Sequence, residues 1–331
     1  MDILTDTDAC ILERRPAWRA LATLDRASNS MESGQVGEAL DAVVDSLGEA
    51  RAMMSEDAWG ELASYAREDH ELRQAIYEDP LTLRALQKPR GYAGDAVMMD
   101  YAYGIHSAHV AATGASPLGR AIYRWVYNTD ASAAVRYRRE HIARLIDSLA
   151  ARVSKPGVLA VAAGHLREAE LSQALAAGRL GRMVALDADA ESLREIETLY
   201  AHLGVETVHG SVRHILARKV NLGTFDLVYA AGLYDYLPAN VAQALTERMF
   251  EMVRPGGDLL VANFAPEIRA RLYMESFMDW KLIYREEHEM AQLVARIDPD
   301  AMERCDVYGD PAGSVLYLRV KRAGRRSAPH S

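Results

Sequence analysis

Val158-Leu-Ala-Val-Ala-Ala-Gly-His165 is the stretch on which the fold turns. A short apolar run, Val158 to Ala162, ends in small residues, and after Gly164 a helical pattern continues to Ala177. The same grammar recurs downstream. Met183-Val-Ala-Leu-Asp187 precedes a helical segment from about Glu191 to His202, and Glu206-Thr-Val-His209 follows it. Phe225-Asp-Leu-Val-Tyr-Ala230 and Asp258-Leu-Leu-Val-Ala-Asn263 are two further runs. Apolar runs alternating with helical stretches predict βαβ units, hence an α/β, doubly wound, Rossmann-like parallel sheet with both faces covered. Arg304 to Tyr308 and Ser314 to Val320 flank Gly309-Asp-Pro-Ala-Gly313, a hairpin signal that adds antiparallel strands at one edge.

Upstream of Ser154-Lys-Pro-Gly157 the period is helical and no convincing strand is found. Gly37 to Met54 reads as a helix with Ala39, Leu40, Val43, Val44 and Leu47 on one stripe. Asp57 to Tyr77 reads as another, stopped by Asp79-Pro80. Asp130 is the expected N-cap of a long helix through Val135, Ile142, Leu145, Ile146 and Leu149. The domain expectation is an all-helical N-terminal cap over 1–153, an α/β domain over 154–322 and a basic disordered tail over 323–331.

The chain has 331 residues, 50% hydrophobic and 26% charged, enough for a sizeable core. With 38 Lys+Arg against 47 Asp+Glu the net charge is −9, which argues against a general nucleic-acid or membrane-surface binder. Two cysteines, Cys10 and Cys305, make neither a disulfide framework nor a cysteine zinc cluster. The ten histidines are dispersed and no metal site is expected. The first residues, with Asp2, Asp6 and Asp8, lack a basic leader and an apolar core, and no apolar run approaches a bilayer span. A cytoplasmic protein is expected.

In open α/β sheets ligands bind beyond the carboxyl ends of the strands, near the point where strand order reverses. After the first run come Ala162, Ala163 and Gly164, small residues that let a ligand approach the backbone. After the second come Asp187, a carboxylate suited to a ribose diol, and Ala188. After the third come Ser211, Val212 and Arg213, and after the fourth Ala230, Ala231 and Gly232. A dinucleotide fingerprint needs glycines where this chain has Ala162 and Leu166, and no phosphate loop is present there. A nucleoside cofactor without phosphates fits better.

The order Val158-Leu-Ala-Val-Ala-Ala-Gly164, Ala185-Leu-Asp187, Gly210-Ser-Val212, Phe225-Asp-Leu-Val-Tyr229 and Val253-Arg-Pro-Gly-Gly257 resembles class I S-adenosylmethionine-dependent methyltransferases. The resemblance covers Val158 to Val320 and implies a seven-stranded sheet and S-adenosyl-L-methionine as cofactor. It implies that Ala162 to Gly164 flank the methionine part, that Asp187 binds the ribose hydroxyls, that Ser211 and Val212 lie beside the adenine, and that Ala230 lies near the sulfonium. The chain departs from the family at Ala160, where an acid is common, and at Leu166, where a third glycine is usual. Glu168 is the candidate replacement for that acid, holding the methionine ammonium group, or else Arg167 and Glu168 are simply first-turn residues of the following helix.

On the acceptor side, Gln87-Lys-Pro-Arg-Gly-Tyr-Ala-Gly-Asp-Ala-Val-Met-Met99 breaks the helical half with Pro89, Gly91 and Gly94. It crowds Lys88, Arg90, Tyr92 and Asp95 onto one turn, read as a site loop or lid, or else as a connector with Asp95 as N-cap. Gly232-Leu-Tyr-Asp-Tyr-Leu-Pro238 directly follows the fourth strand, and its Tyr234, Asp235 and Tyr236 can orient an acceptor or take its proton, or else Leu237 packs and Asp235 caps the following helix. Tyr273, Phe277, Trp280 and Tyr284 share one face of an expected helix, with Glu275 and Asp279 solvated on another.

Lys88-Pro-Arg-Gly-Tyr-Ala-Gly-Asp95 and Gly232-Leu-Tyr-Asp-Tyr-Leu237 resemble a narrower group, the bacterial methyltransferases associated with 3-hydroxypalmitic acid methyl ester. That resemblance implies a fatty-acid carboxylate as acceptor, positioned by Arg90, Arg120 or Arg213. The expected partner is a small-molecule methyl acceptor, with no nucleic acid, no membrane insertion and a homodimer left open. The rivals are an RNA or protein methyltransferase and a non-catalytic cofactor-binding sensor or scaffold.

Overall fold

The computed structural model describes residues 6–324, so the expected basic tail lies outside the described residues from Arg325 onward. The chain divides into two units. One runs to Val135 and takes in Ile268–Lys281; the other comprises Arg136–Glu267 and the chain from Leu282.

The first unit is helical: α1 (Asp6–Glu32), α2 (Val36–Met53), α3 (Glu56–Glu68), α4 (Leu72–Ile76), α5 (Pro80–Gln87), α6 (Ala96–Tyr103), α7 (His106–Gly114), α8 (Pro117–Tyr127) and the start of α9 (Asp130–Arg152). The α2 stripe is buried as its spacing requires, with Leu40, Val43 and Leu47 fully enclosed. The helix expected over Asp57 to Tyr77 is instead two. Buried His70 interrupts it, because its Nδ1 accepts from Leu72 N (3.1 Å) while Nε2 faces Asp25 Oδ1 (3.1 Å). A side chain that caps the next helix competes with continuation of the last one. Asp130 is the first residue of α9 rather than its cap, and its carboxylate accepts from Ala131 N (2.8 Å), Arg269 N (2.6 Å) and Ala270 N (3.1 Å).

The second unit is a seven-stranded sheet in the order β3-β2-β1-β4-β5-β7-β6. β1 (Gly157–Val161) is buried along its length, which is why its residues show no alternation. α10 (Gln173–Ala176), β2 (Arg182–Asp187), α11 (Ala190–Tyr200), β3 (Val205–His209), α12 (Val212–Leu216), β4 (Phe225–Ala230), α13 (Ala239–Glu251) and β5 (Val253–Phe264) follow, the five strands running parallel. Pro255-Gly-Gly257 lies inside β5 as an irregularity, Phe225 facing Val253 and Leu227 facing Asp258. A Cβ on Gly257 would stand 2.8 Å from Asp226 O, so the backbones meet there only because no side chain intervenes. The strand order reverses between β1 and β4, which sets the ligand crevice at their carboxyl ends.

The helix expected from Gly164 to Ala177 does not form as one piece. A 3-10 turn spans Arg167–Glu170, and only one α turn, α10, follows. Side chains of α9 terminate it from outside. Asp147 accepts from Ser172 Oγ (2.8 Å) and Ala174 N (2.8 Å), and Arg139 Nε donates to Arg167 O (2.9 Å).

The aromatic stripe is also shorter than its periodicity implies. α14 (Arg271–Phe277) ends before Trp280, with Asp279 left-handed at φ 46° and Trp280 N bonded back to Met274 O (3.0 Å). Asp279 is drawn out of the helix by Lys88 Nζ (2.5 Å) and Arg67. Glu275 is not solvated as expected. It is buried and accepts from Trp59 Nε1 (2.7 Å). After α15 (Glu287–Ala291), β6 (Met302–Gly309) and β7 (Val315–Arg322) form the hairpin read from the sequence, β7 pairing antiparallel with both β5 and β6.

Candidate active site

The turn after β1 is built from alternating left-handed residues: Ala162 (φ 52°), Gly164 (φ 54°) and Leu166 (φ 52°). Glycine takes this conformation freely, whereas each of the other two pays roughly 1 kcal/mol for it. The strain is held by neighbours. Ala163 N donates to Leu186 O (3.1 Å), and Gly164 N donates to Asp187 Oδ2 (2.8 Å).

Asp187, at the tip of β2, is the junction of three strand ends. Its Oδ1 accepts from Asp189 N (2.8 Å), and its main-chain oxygen accepts from Gly210 N (2.8 Å) at the end of β3. Burial raises its pKa; the amide hydrogen bonds oppose that rise, and neighbouring Asp189 adds to it. A carboxylate has about four lone-pair positions, so each oxygen retains acceptor capacity beyond its one amide. Ala188 is exposed beside it, its carbonyl facing His209 Nε2 (3.0 Å).

Glu168 is buried in the 3-10 turn, and Tyr229 Oη donates to its Oε1 (2.5 Å). Burial raises its pKa, while Tyr229 and the charges of Arg138 and Arg139 pull it down. The adjacent Arg167 is buried too, its guanidinium engaging Tyr200 Oη (3.1 Å), His165 Nδ1 (3.2 Å) and Glu195 Oε1 (2.9 Å). At the end of β3, Ser211 and Val212 are half-buried and Arg213 is exposed at the start of α12. Thus Ala162, Ala163, Gly164, Asp187, Ser211 and Gly232 all stand at carboxyl ends of parallel strands.

After β4, Ala230 is buried and Gly232 half-buried. The aromatic segment that follows is divided. Tyr234 is fully buried with its hydroxyl against Thr246 Oγ1 (2.9 Å), and burial pushes its pKa up. Asp235 is buried, accepts from Phe264 N (2.7 Å), and has its pKa pushed up to about 6 by burial. Arg285, also buried, donates to Tyr234 O (2.7 Å), Leu237 O and Asn263 Oδ1, so the segment is tied to the end of β5. Tyr236 is half-buried.

In the helical unit, the Lys88 to Asp95 turn has its own frame. Lys88 ends α5 in the left-handed region (φ 49°) and Gly91 repeats it (φ 89°). Asp95 caps α6 through Met98 N (2.8 Å) and takes Arg84 Nε (3.0 Å) and Nη2 (2.7 Å) bidentately. Tyr92 is exposed and Arg90 half-buried. Arg120 is exposed on α8 and donates to Ala115 O.

Sequence reasoning missed Arg138, Asn263 and Arg285, all buried. Their signal was faint: each is a polar residue inside an otherwise ordinary helix, strand or loop, and burial is decided by packing at a distance. Tyr229 was read only as part of a strand. Among the described residues, no group of three or more His, Cys, Asp or Glu side chains can hold a metal ion, and no helix is long and apolar enough to cross a membrane.

Residues 158–257, from β1 into the glycine turn of β5, match a family profile described as a methyltransferase domain. The matched stretch lies within the sheet unit, which is thus similar to a methyltransferase domain that takes its methyl group from S-adenosylmethionine. No curated protein matches the chain. Among solved structures, a possible exported protein from Bordetella parapertussis is similar at 15% identity and a TM-score of 0.54, over 76% of this chain and 97% of that one. The methyltransferase SibL in its apo form is similar over 93% and 98%, at 14% identity and a TM-score of 0.48. The N-methyltransferase NodS from Bradyrhizobium japonicum is similar over 58% and 97%, at 17% identity and a TM-score of 0.41.

Proposed function

We propose that the chain transfers the methyl group of S-adenosylmethionine to a small-molecule acceptor, and that a hydroxy fatty-acid carboxylate is the first acceptor class to test. The observation that carries the reading is Asp187, a buried carboxylate at the tip of β2 that gathers the turns after β1, β2 and β3, beside the switch point between β1 and β4. In this reading Asp187 and Ala188 face the ribose. Ala162, Ala163, Gly164 and Glu168 face the methionine part, Ser211, Val212 and Arg213 the adenine, and Ala230 and Gly232 the sulfonium.

The bound cofactor supplies an electrophilic methyl whose positive charge disperses during in-line transfer. The chain's task is alignment and exclusion of water. A carboxylate acceptor is already ionised and needs no general base, only an opposing cation and an apolar wall. Tyr234 and Asp235 are engaged inside the protein, so we assign them to holding the turn after β4. The acceptor roles of Arg90 and Tyr92 rest on the sequence reading alone.

Calorimetric titration with S-adenosylmethionine and S-adenosylhomocysteine, with NAD as control, tests the cofactor half. Micromolar binding of the first two only is the expected result, and binding of neither removes the reading. Mass spectrometry of incubations with 3-hydroxy fatty acids tests the acceptor half. Tight cofactor binding without methyl transfer to any acceptor supports a sensor instead, and a salt-sensitive shift with RNA supports a nucleic-acid methyltransferase.

A further inference from the structure

β6 stands at one edge of the sheet and, among the described residues, pairs with β7 alone. Outside that ladder, no hydrogen bond between described residues reaches the main chain of residues 303–308. An open edge of this kind is a template for another strand, and proteins commonly blunt it with proline, lysine or a bulge. β6 is eight residues long and has no proline or lysine, and its one irregularity lies between Met302 and Arg304. Beyond it, Arg304 to Gly309 run in regular register with β7.

The order of charges along this edge is complementary to its own reverse. Arg304 and Asp306, two apart and so on one face, are joined from Nε to Oδ1 (2.9 Å). The Arg304 side chain is 73% exposed, so this pair does little for the fold of its own chain. In a two-fold antiparallel pair, the residue on the axis faces itself and its neighbours face their counterparts in reverse order. With Arg304 or Asp306 on the axis, like charges meet. With Cys305 on it, each Arg304 faces the Asp306 of the other copy, and Val307 faces Glu303. Cys305 is exposed.

We propose that β6 is a self-association edge, to which a second copy of this chain adds its own β6 antiparallel with Cys305 on the two-fold axis. Main-chain hydrogen bonds hold the two sheets together, and the crossed Arg304–Asp306 pairs fix the register. The contact stands whether or not a cofactor binds.

Sedimentation of the full chain over about 1 to 100 μM is expected to reach twice the 36.6 kDa monomer mass. Asp306→Arg and Arg304→Asp each set like charges across the axis, and each is expected to weaken self-association about tenfold or more. Circular dichroism checks that both fold, and Arg304→Asp alone serves if the other does not. Mixed in equal amounts, the two variants present only opposite charges to each other and should recover the wild-type mass. Cys10→Ser leaves Cys305 as the only thiol. Oxidation with copper–phenanthroline should then join two chains by a disulfide, because opposed residues have Cβ atoms about 5 Å apart. A wild-type chain that stays monomeric at the upper concentration overturns the proposal. So does a dimer that the charge variants leave intact, a variant mixture that fails to reassociate, or a dimer whose Cys305 thiols do not join.

Discussion

Two turns in this protein are built alike and paired differently. Lys88 to Asp95 in the helical unit and Ala162 to Leu166 in the sheet unit both run through left-handed residues, and both are held by an aspartate. Asp95 spends its oxygens on its own helix and on a bidentate Arg84. Asp187 is held by backbone amides from its own turn and the turn after β1, with Asp189 raising its pKa further. A carboxylate matched by a guanidinium beside it is a stable fastening. One kept buried against like charge costs energy, and such cost is characteristic of ligand sites.

The largest effect that sharpens this contrast is expected at Asp187. Asp187→Ala should weaken S-adenosylhomocysteine about a hundredfold, since two charge-assisted hydrogen bonds to the ribose would be lost. Unchanged affinity in calorimetry would place the ribose elsewhere.

A third carboxylate, Asp235, extends the comparison to pH. Its pKa is near 6 in the folded protein against an ordinary value of 3.8, so the folded state holds this proton more tightly than the unfolded state. Its contribution is therefore present below about pH 4 and is lost as pH rises through about 6, a decrease on the order of 2–3 kcal/mol. Urea titrations between pH 4 and 7 should show that slope flattened in Asp235→Asn; an unaltered slope would mean that the carboxyl ionises normally.

Asp95→Ala should behave oppositely to Asp187→Ala. It removes a helix cap and leaves the Arg84 charge without this partner, so a loss of about 2 kcal/mol in urea denaturation is expected. Affinity for S-adenosylhomocysteine should stay within about twofold; a large fall would make the two turns functionally alike.

The smallest effect separates the left-handed residues. Ala162→Gly relieves its strain and should stabilise the protein by up to about 1 kcal/mol, read as a rise in melting temperature. Leu166→Gly relieves the same strain but removes a side chain that is 1% exposed, so it should destabilise instead. Stabilisation by both would mean that Leu166 packs against little.

Much of the fold was legible because it rests on local pattern. The runs at Val158, Met183, Glu206, Phe225 and Asp258 became β1 to β5, and the two segments around Gly309 to Gly313 became the closing hairpin. The α2 stripe followed its period for the same reason: burial of one helix face repeats every three to four residues. Periodicity overreached wherever a distant side chain intervened. Asp147 and Arg139 cut short the helix after β1, and Lys88 and Arg67 drew Asp279 out of the aromatic helix.

The sequence by itself therefore determined the class of sheet, the positions of its strand ends and the kind of residue standing at each. Strand and helix patterns are short-range, and a turn of small residues declares itself locally. Only the tertiary structure decided which polar residues are buried and what they hold. It joined Asp187 to Gly164 and Gly210, set Glu168 against Tyr229, enclosed Glu275 beside Trp59 and brought Arg138 under Gly232. Those pairings span tens to hundreds of residues, and the free energy of a buried charge depends on its partners in space rather than in sequence.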